Sequence, residues 1–423
     1  MQRPAMILQR ELLHHNRGAA YMYPNYPLDY EIKLGDIGWF GWDGQFIRLF
    51  NVMVDSSDPR NTYGLPEDYE WLDIPTHLRQ NIPHDLSPGQ ILCSSSAEVV
   101  KSNGEPAADE SEPVVGIIRF LKDKGGFVVP QSTGFREITL PEANDLMHNY
   151  MIAHREGWFR LAVKCHHVLH RDDFVMITGV VKTQQWAVGL SRKKDTQVTV
   201  LGTACDDPTE LLIVRPTEPS CIVRVGPRIG FYRFPTLNSI MANTVADQAL
   251  FLNFLKARSR AFMPDKVEAT AGPHTLPDGP DDGDLGHSEA RSDPSSCIDP
   301  ALEYILESSD CDVAITSDME VYRLLHFKGE PWPDDLLSFL RLLAPRIEVK
   351  VTDSGTRYGR FPLDTEVTTS HPAEGDQCSV EASTAPELPV AHDFFSLNLT
   401  CRPKSSQHSL SSTQFSSREI VAF

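Results

Sequence analysis

The sequence lacks the patterns by which common chemistries are recognised. Its eight cysteines (Cys93, Cys165, Cys205, Cys221, Cys297, Cys311, Cys378, Cys401) include no CxxC pair, so the spacing encodes neither a zinc knuckle nor a dithiol redox site. There is no G-x-S-x-G elbow, no HExxH and no glycine-rich loop ending in Lys-Ser/Thr, which removes three frequent hydrolase and nucleotide-binding signatures. Cations are in short supply: 39 Lys and Arg stand against 58 Asp and Glu, for a formal net charge of −19. A general nucleic-acid binder needs a basic face, and an anionic membrane surface favours basic segments. No apolar run approaches the roughly 18 residues of a spanning helix. Residues 5–8 are too short for a signal-peptide core. These absences predict an intracellular protein with reduced thiols, cytoplasmic first and nuclear as the alternative. They also predict no membrane span and no general nucleic-acid binding. No internal repeat is found.

What the chain does have is enough apolar material for a core, 41% hydrophobic and 9% aromatic. Residues 174–190, FVMITGVVKTQQWAVGL, carry the strongest β signal. Two β-branched runs meet at Gly179, and the second leads through Gln184-Gln185 to Trp186. Strand, glycine-marked bend or bulge, strand is the natural reading. Residues 1–30 mix His, Tyr and Pro without period and read as an N-terminal arm. GDIGWFGWDGQFIRLFNV, from Leu34, then places Trp39-Phe40 and Phe46-Ile47 around Gly41-Trp42-Asp43-Gly44. This predicts a β-hairpin with an Asp-Gly turn. Pro75, Pro83 and Pro88 predict irregular chain to about Gly89, and 101–113 reads as a polar surface loop. Residues 114–120 and 126–129 are two short strands with 122–125 as the turn between them.

Residues 141–169 hold the best helical pattern. Leu146, Tyr150, Ala153, Gly157, Leu161, Cys165 and Val168 share one stripe. Pro141 suits the first turn and Gly157 offers a kink. Residues 197–201, 211–214 and 221–225 are strand-like, and 231–238 read as loop. Residues 248–262 fit either a strand or a helix with a basic end. Residues 299–306 and 333–343 read as helices, 313–316 and 347–352 as strands. The fold class expected is α+β: a mainly antiparallel β core with one long helix, a small C-terminal α/β segment, and a disordered linker and tail. The expected organisation is an arm at 1–30, a main domain at 31–262, and an acidic disordered linker at 263–297. A helix–strand module at 298–352 and a disordered tail at 353–423 complete it.

Several dispersed motifs carry a resemblance. The run GDIGWF…GQFIRLFN is followed by Asp58-Pro59, Asn61, Gly64 and Pro66, then by Trp158-Phe159, ITGVVKTQQWAVGL and SCIDPALEYILESSDCDVAITSD. Together, over roughly residues 34–325, they resemble a large uncharacterised family of proteins from mushroom-forming (basidiomycete) fungi. The family's strand pattern corresponds here to Thr178-Gly179, Lys182 and Trp186. Its late Thr-His-Asp turn corresponds to Thr316-Ser317-Asp318, where Ser317 replaces the usual histidine. The resemblance implies an origin and no reaction.

Cys165, His166 and His170, with His167 beside them, are the metal-like residues of the chain. On a helix, His166 and His170 would share a face at i, i+4, yet no second Cys/His pair supplies further ligands. The plainer reading is a polar helix end, where histidine suits the negative dipole. Cys165 lies in the apolar stripe and reads as a buried small hydrophobe. Asp172-Asp173 and Asp206-Asp207 read as solvated turn residues. Asp310, Asp312 and Asp318 bracket the late strand, where acids can hold Mg²⁺ when a phosphate loop accompanies them, and none does. Lys256 to Arg260 (KARSR) and Arg192-Lys193-Lys194 read as solvated basic faces, with nuclear import or an acidic partner as the sharper alternative. Trp39, Trp42, Trp158 and Trp186 read as core or hairpin packing. The pattern favours a non-enzymatic interaction or regulatory module with protein partners, and no metal or cofactor is expected. The alternatives are a hydrolase-type enzyme with a dispersed site and a membrane-acting β protein, for which hairpins of the required length are not found.

Overall fold

Period-two apolar patterning dominates the observed chain, giving eighteen strands and five α-helices among the described residues. The structure is a computed structural model and describes residues 3–24, 31–58, 61–101, 114–202, 212–226, 246–260, 296–327 and 332–362. All of these lie in one unit, Met1–Thr368. The first half runs α1 (Pro4–Leu12), β1 (Ala19–Ala20), β2 (Asp36–Phe40), β3 (Phe46–Asn51), β4 (Arg79–Leu86), β5 (Leu92–Cys93), β6 (Ala97–Lys101), β7 (Val114–Phe120), β8 (Gly125–Pro130) and β9 (Gly134–Thr139). The long helix α2 (Asn144–Lys164) follows, then β10 (Phe174–Thr183), β11 (Trp186–Ser191), β12 (Gln197–Leu201), β13 (Ile213–Pro216), β14 (Cys221–Gly226) and β15 (Gln248–Ser259). The C-terminal part is α3 (Asp299–Ser308), β16 (Val313–Ser317), α4 (Asp318–Phe327), α5 (Leu336–Leu343), β17 (Glu348–Val351) and β18 (Arg357–Arg360).

The strands form a ten-stranded sheet and two four-stranded sheets. Every pairing is antiparallel except that of β16 with β18. The fold is therefore α+β and mainly antiparallel, and α2, at 21 residues, is its longest helix.

β10 is the hub of the large sheet. One edge pairs with β15 from end to end, while the other pairs with β2 over its first three residues and with β9 from Gly179 on. The register slips between Ile177 and Gly179, so Gly179 marks a bulge inside one strand at the point where the partner changes. Phe174 and Met176 point to the cluster made with α2, including Trp39, Phe50, Met151 and Trp158. Val175 and Ile177 point to the opposite cluster, which holds Leu8 and Leu12 of α1 and Leu302 and Ile305 of α3. A third cluster, around Ile118, Phe127, Ala187 and Val198, joins the two smaller sheets.

Two strands leave the large sheet side by side. β10 passes into β11, and β8 into β9, at a shared corner. Ser132 Oγ accepts from Gln184 N and Gln185 N at 3.1 and 3.2 Å, and Thr183 Oγ1 donates to Ser132 O at 2.9 Å. Gln131 N donates to Gln185 O at 2.9 Å. The polar residues between Thr183 and Trp186 are thus a corner between sheets.

Several expectations change on contact with tertiary packing. β7 and β8 are strands, but residues 122–125 do not fold them into a hairpin: β7 pairs with β6 and β12, β8 with β5 and β11. The stretch before Gly89 is not irregular. β4 pairs with β9, and its register breaks between Ile82 and Leu86 around Pro83, where a missing N–H is tolerated on a bulged edge. The helix expected over 141–169 begins at Asn144, after a 3₁₀ turn Pro141–Ala143, and ends at Lys164. It runs unbroken through Gly157, where an added Cβ would sit 2.1 Å from Asp68 Oδ1. That glycine admits a neighbouring loop. Residues 248–259 are strand.

The segment expected as a C-terminal module shares the large sheet, with β16 paired to β15 over Leu255–Ser259. α4, unforeseen from sequence, starts on a Ser-x-x-Glu capping box: Glu320 N donates to Ser317 Oγ, and Glu320 Oε2 accepts from Ser317 N. The disordered tail expected from 353 is corrected at its start, since β18 at Arg357–Arg360 pairs with β16 and β17. The rest of that tail, the linker at 263–297 and the readings for 101–113 and 231–238 lie largely or wholly outside the described residues.

Trp186 is 1% exposed and packs on Gly226, whose added Cβ would stand 2.6 Å from the indole. Trp186→Ala should therefore cost roughly 3–5 kcal/mol. Urea unfolding monitored by circular dichroism checks this, and a loss below about 1 kcal/mol would place the indole outside the core.

Candidate functional site

Cys165, His166 and His170 are not brought together on a helix face, because the helix stops at Lys164. His166 follows in the left-handed region, φ 63°, which turns the chain away. His170 lies beyond that turn and caps the 3₁₀ turn Arg171–Asp173, its Nδ1 accepting from Asp172 N at 3.3 Å. Cys165 Sγ donates to Tyr63 O at 3.7 Å. His167 is instead the ring that packs, edge-on to Trp39 at 4.8 Å and to Tyr63 at 5.3 Å. Among the described residues no group of three or more His, Cys, Asp or Glu side chains is placed to hold a metal ion.

The late acids also separate. Asp310 pairs with Arg357, and Asp312 Oδ2 accepts from Arg357 N at 3.0 Å, both before β16. Asp318 lies past its other end, fully buried. Its Oδ1 accepts from Phe254 N and its Oδ2 from Asn253 Nδ2, each at 2.9 Å. Asn253 fits there because two glycines leave room. An added Cβ at Gly179 would meet Asn253 Oδ1 at 2.6 Å, and one at Gly18 would meet its Nδ2 at 2.5 Å. Thr178-Gly179 and Thr316-Ser317-Asp318, far apart in sequence, thus meet through Asn253. Burial pushes the Asp318 carboxyl up to about 6, against the pull of Phe254 N–H, Asn253 and Arg136.

Buried charged side chains recur at several other junctions, some with partly exposed partners. Glu320 Oε1 accepts from Asn144 Nδ2 at 3.0 Å and lies 3.3 Å from His148 Nε2. Burial raises its pKa, but His148, Ser317 N–H and Thr316 outweigh that and hold it below the usual range. Arg360 pairs with Asp145 and with Glu348, the latter at 2.9 Å. Lys182 meets Glu31 at 2.7 Å, and Asp36 accepts from Asn51 Nδ2 and Lys33 N.

The basic stretch 256–260 is no solvated face. Lys256 is buried against Asp299 at 2.5 Å, Arg258 lies 3.8 Å from Glu303, and Arg260 donates to the carbonyls of Leu306, Ser309 and Cys311. It is the strip on which α3 docks. Burial raises the thiol pKa of Cys93 and Cys297 and pushes that of Cys221 up to about 12, so the thiolate is suppressed at these three positions.

The surface offers a different kind of feature. Trp42, expected in hairpin packing, is 81% exposed at the β2–β3 turn. Trp71 is 64% exposed although the loop around it is pinned on both sides. Tyr69 Oη donates to Val54 O at 2.8 Å, Tyr150 Oη donates to Glu70 O, and Leu72, buried, donates its N–H to Val52 O at 2.8 Å. Glu67, Asp68, Glu70 and Asp73 are exposed beside it. Sequence reading passed over Trp71 because the signal is its fixed backbone, which only the tertiary contacts supply.

No family model, no curated protein and no solved structure matches the chain. No helix among the described residues is long and apolar enough to cross a membrane.

Two outcomes are expected here. Purified protein should carry no stoichiometric zinc, and a chelator should leave Tm unchanged. About one zinc per chain, lost in the double variant His166→Ala/His170→Ala, would reinstate the metal reading. Asp318 gives a pH signature. Its pKa is raised from 3.8 to about 6, so the folded protein holds this proton more tightly than the unfolded chain. That stabilisation is complete below about pH 4 and is lost as pH rises through about 6. The difference in unfolding free energy between wild type and Asp318→Asn should fall across that window and then level. A constant difference in urea titrations from about pH 4 to 7 would show that Asp318 does not titrate this way.

Proposed function

We propose that this chain is a non-enzymatic interaction or regulatory module, and that Trp71 anchors its docking surface for a partner with a basic face. The observation that carries the reading is the pinned display of Trp71. A large aromatic held exposed by buried neighbours is preorganised, so binding costs little ordering entropy. The charge around it selects the partner. Of the four acids Glu67, Asp68, Glu70 and Asp73, Asp68 lies 3.6 Å from Arg160, Asp73 4.0 Å from Arg79, and Glu70 3.7 Å from His154. An excess of carboxylate remains, which steers a cationic partner. The buried carboxylates Asp36, Asp299, Asp318 and Glu320 support the same reading, since each is engaged by donors from another element. Membership of the basidiomycete family that the motifs resemble, and an intracellular location, belong to this proposal.

The test compares full-length wild type with Trp71→Ala as bait. Trp71→Ala should melt within a few degrees of wild type, because surface substitutions are usually within about 0.5 kcal/mol. It should fail to recover at least one basic protein that wild type recovers in a salt-dependent manner. Identical recovery by the two baits would overturn the assignment of Trp71.

A further inference from the structure

Among the described residues, Arg136 is a buried charge left without an oxygen acceptor at Nε. We propose that Arg136 anchors a binding site for a small oxyanion, a carboxylate or a phosphate group, where β4, β9 and the first turn of α4 meet. Arg136 is 8% exposed. Its Nε has no acceptor among the described residues. Its Nη2 reaches only the thioether of Met319, at 3.8 Å, and thioether sulfur is a weak acceptor. Two carboxylates act on it from a distance, Asp85 and Asp318, and both are engaged elsewhere. Asp85 Oδ2 accepts from Arg17 Nε at 2.9 Å, with Arg17 Nη2 on the Asp85 carbonyl at 2.9 Å. Asp318 is held by Asn253 and Phe254 N–H. Neither forms an ion pair with Arg136.

A buried guanidinium without an acceptor is strongly unfavourable, so the arrangement asks for an oxygen that the described residues do not supply. The Nε–Nη2 edge presents two parallel N–H bonds, the geometry that fits a carboxylate or phosphate in bidentate fashion. Arg17 adds a second guanidinium within electrostatic range. The backbone is also irregular beside Arg136. Arg136 pairs with Ile82, the last β4 residue before the register breaks, and the ladder resumes only at Leu86 opposite Gly134. The three residues between, Pro83 to Asp85, have no partner in the β9 ladder and form a bulge within β4.

The inference is independent of Trp71. The test uses the full chain, titrated separately with inorganic phosphate and with acetate at constant ionic strength, followed by calorimetry and by Tm. Wild type should show saturable binding and a rising Tm with at least one of the two. Trp71→Ala should bind equally well. Arg136→Lys, which keeps charge but loses the bidentate edge, should bind about tenfold more weakly, and Arg136→Met should not bind. Arg136→Met removes an unpaired buried charge and is expected to fold; the lysine variant locates the site even if it does not. Absence of a saturable response in wild type would overturn the proposal and leave water as the occupant. Undiminished binding by Arg136→Lys and Arg136→Met would place any bound anion elsewhere.

Discussion

The side chain of Asn253 lies over Gly179, and from there its amide holds the carboxylate of Asp318. Much of the architecture depends on that contact. Gly179 is the bulge at which β10 exchanges β2 for β9, so the missing side chain and the change of partner coincide. A carboxylate taken out of water must find donors or lose its charge. Asp318 finds two, one from a side chain and one from the backbone of β15, which ties the start of α4 to the middle of the sheet.

The same constraint recurs along β15. Lys256 and Arg260 receive α3 through Asp299 and through the carbonyls at that helix's end, and Arg360 ties β18 to α2 through Asp145. Apolar contacts give these joints their bulk, since Ile298, Leu302 and Ile305 are fully buried. The charges give them register, because a buried ion displaced by one residue would lose its partner. Through β16, β17 and β18, the described residues between Ser296 and Phe361 are thereby tied to the large sheet.

Polar density in the interior is therefore a property of assembly. His148, Glu320, Asp318 and Lys256 are residue types found in active centres, yet here they join helices to strands. The exposed indole of Trp71, on its fixed backbone, and the unanswered guanidinium of Arg136 are different. Among the described residues, internal packing explains neither the exposure of Trp71 nor the missing acceptor of Arg136 Nε, and the two proposals rest on them.

Local pattern determined the elements. Alternating β-branched residues made β10 a strand, Trp39 to Phe50 a hairpin, and residues 299–306 and most of 141–169 helices, because these depend on neighbours a few positions away. What the long-range contacts decided could not be read that way. Residues 248–262 were balanced between strand and helix until β10 and β16 offered a ladder on both sides. Pro83 suggested irregular chain because nothing local announces that an edge strand will tolerate it. The 256–260 stretch looked like a solvated basic face because its acids, Asp299 and Glu303, arrive from some forty residues away. His166 and His170 looked like a clip only while the helix was assumed to continue. Sequence thus determined period and propensity, which are short-range. The tertiary structure decided pairing, burial and the engagement of each charge, because those energies arise only when distant segments exclude water together.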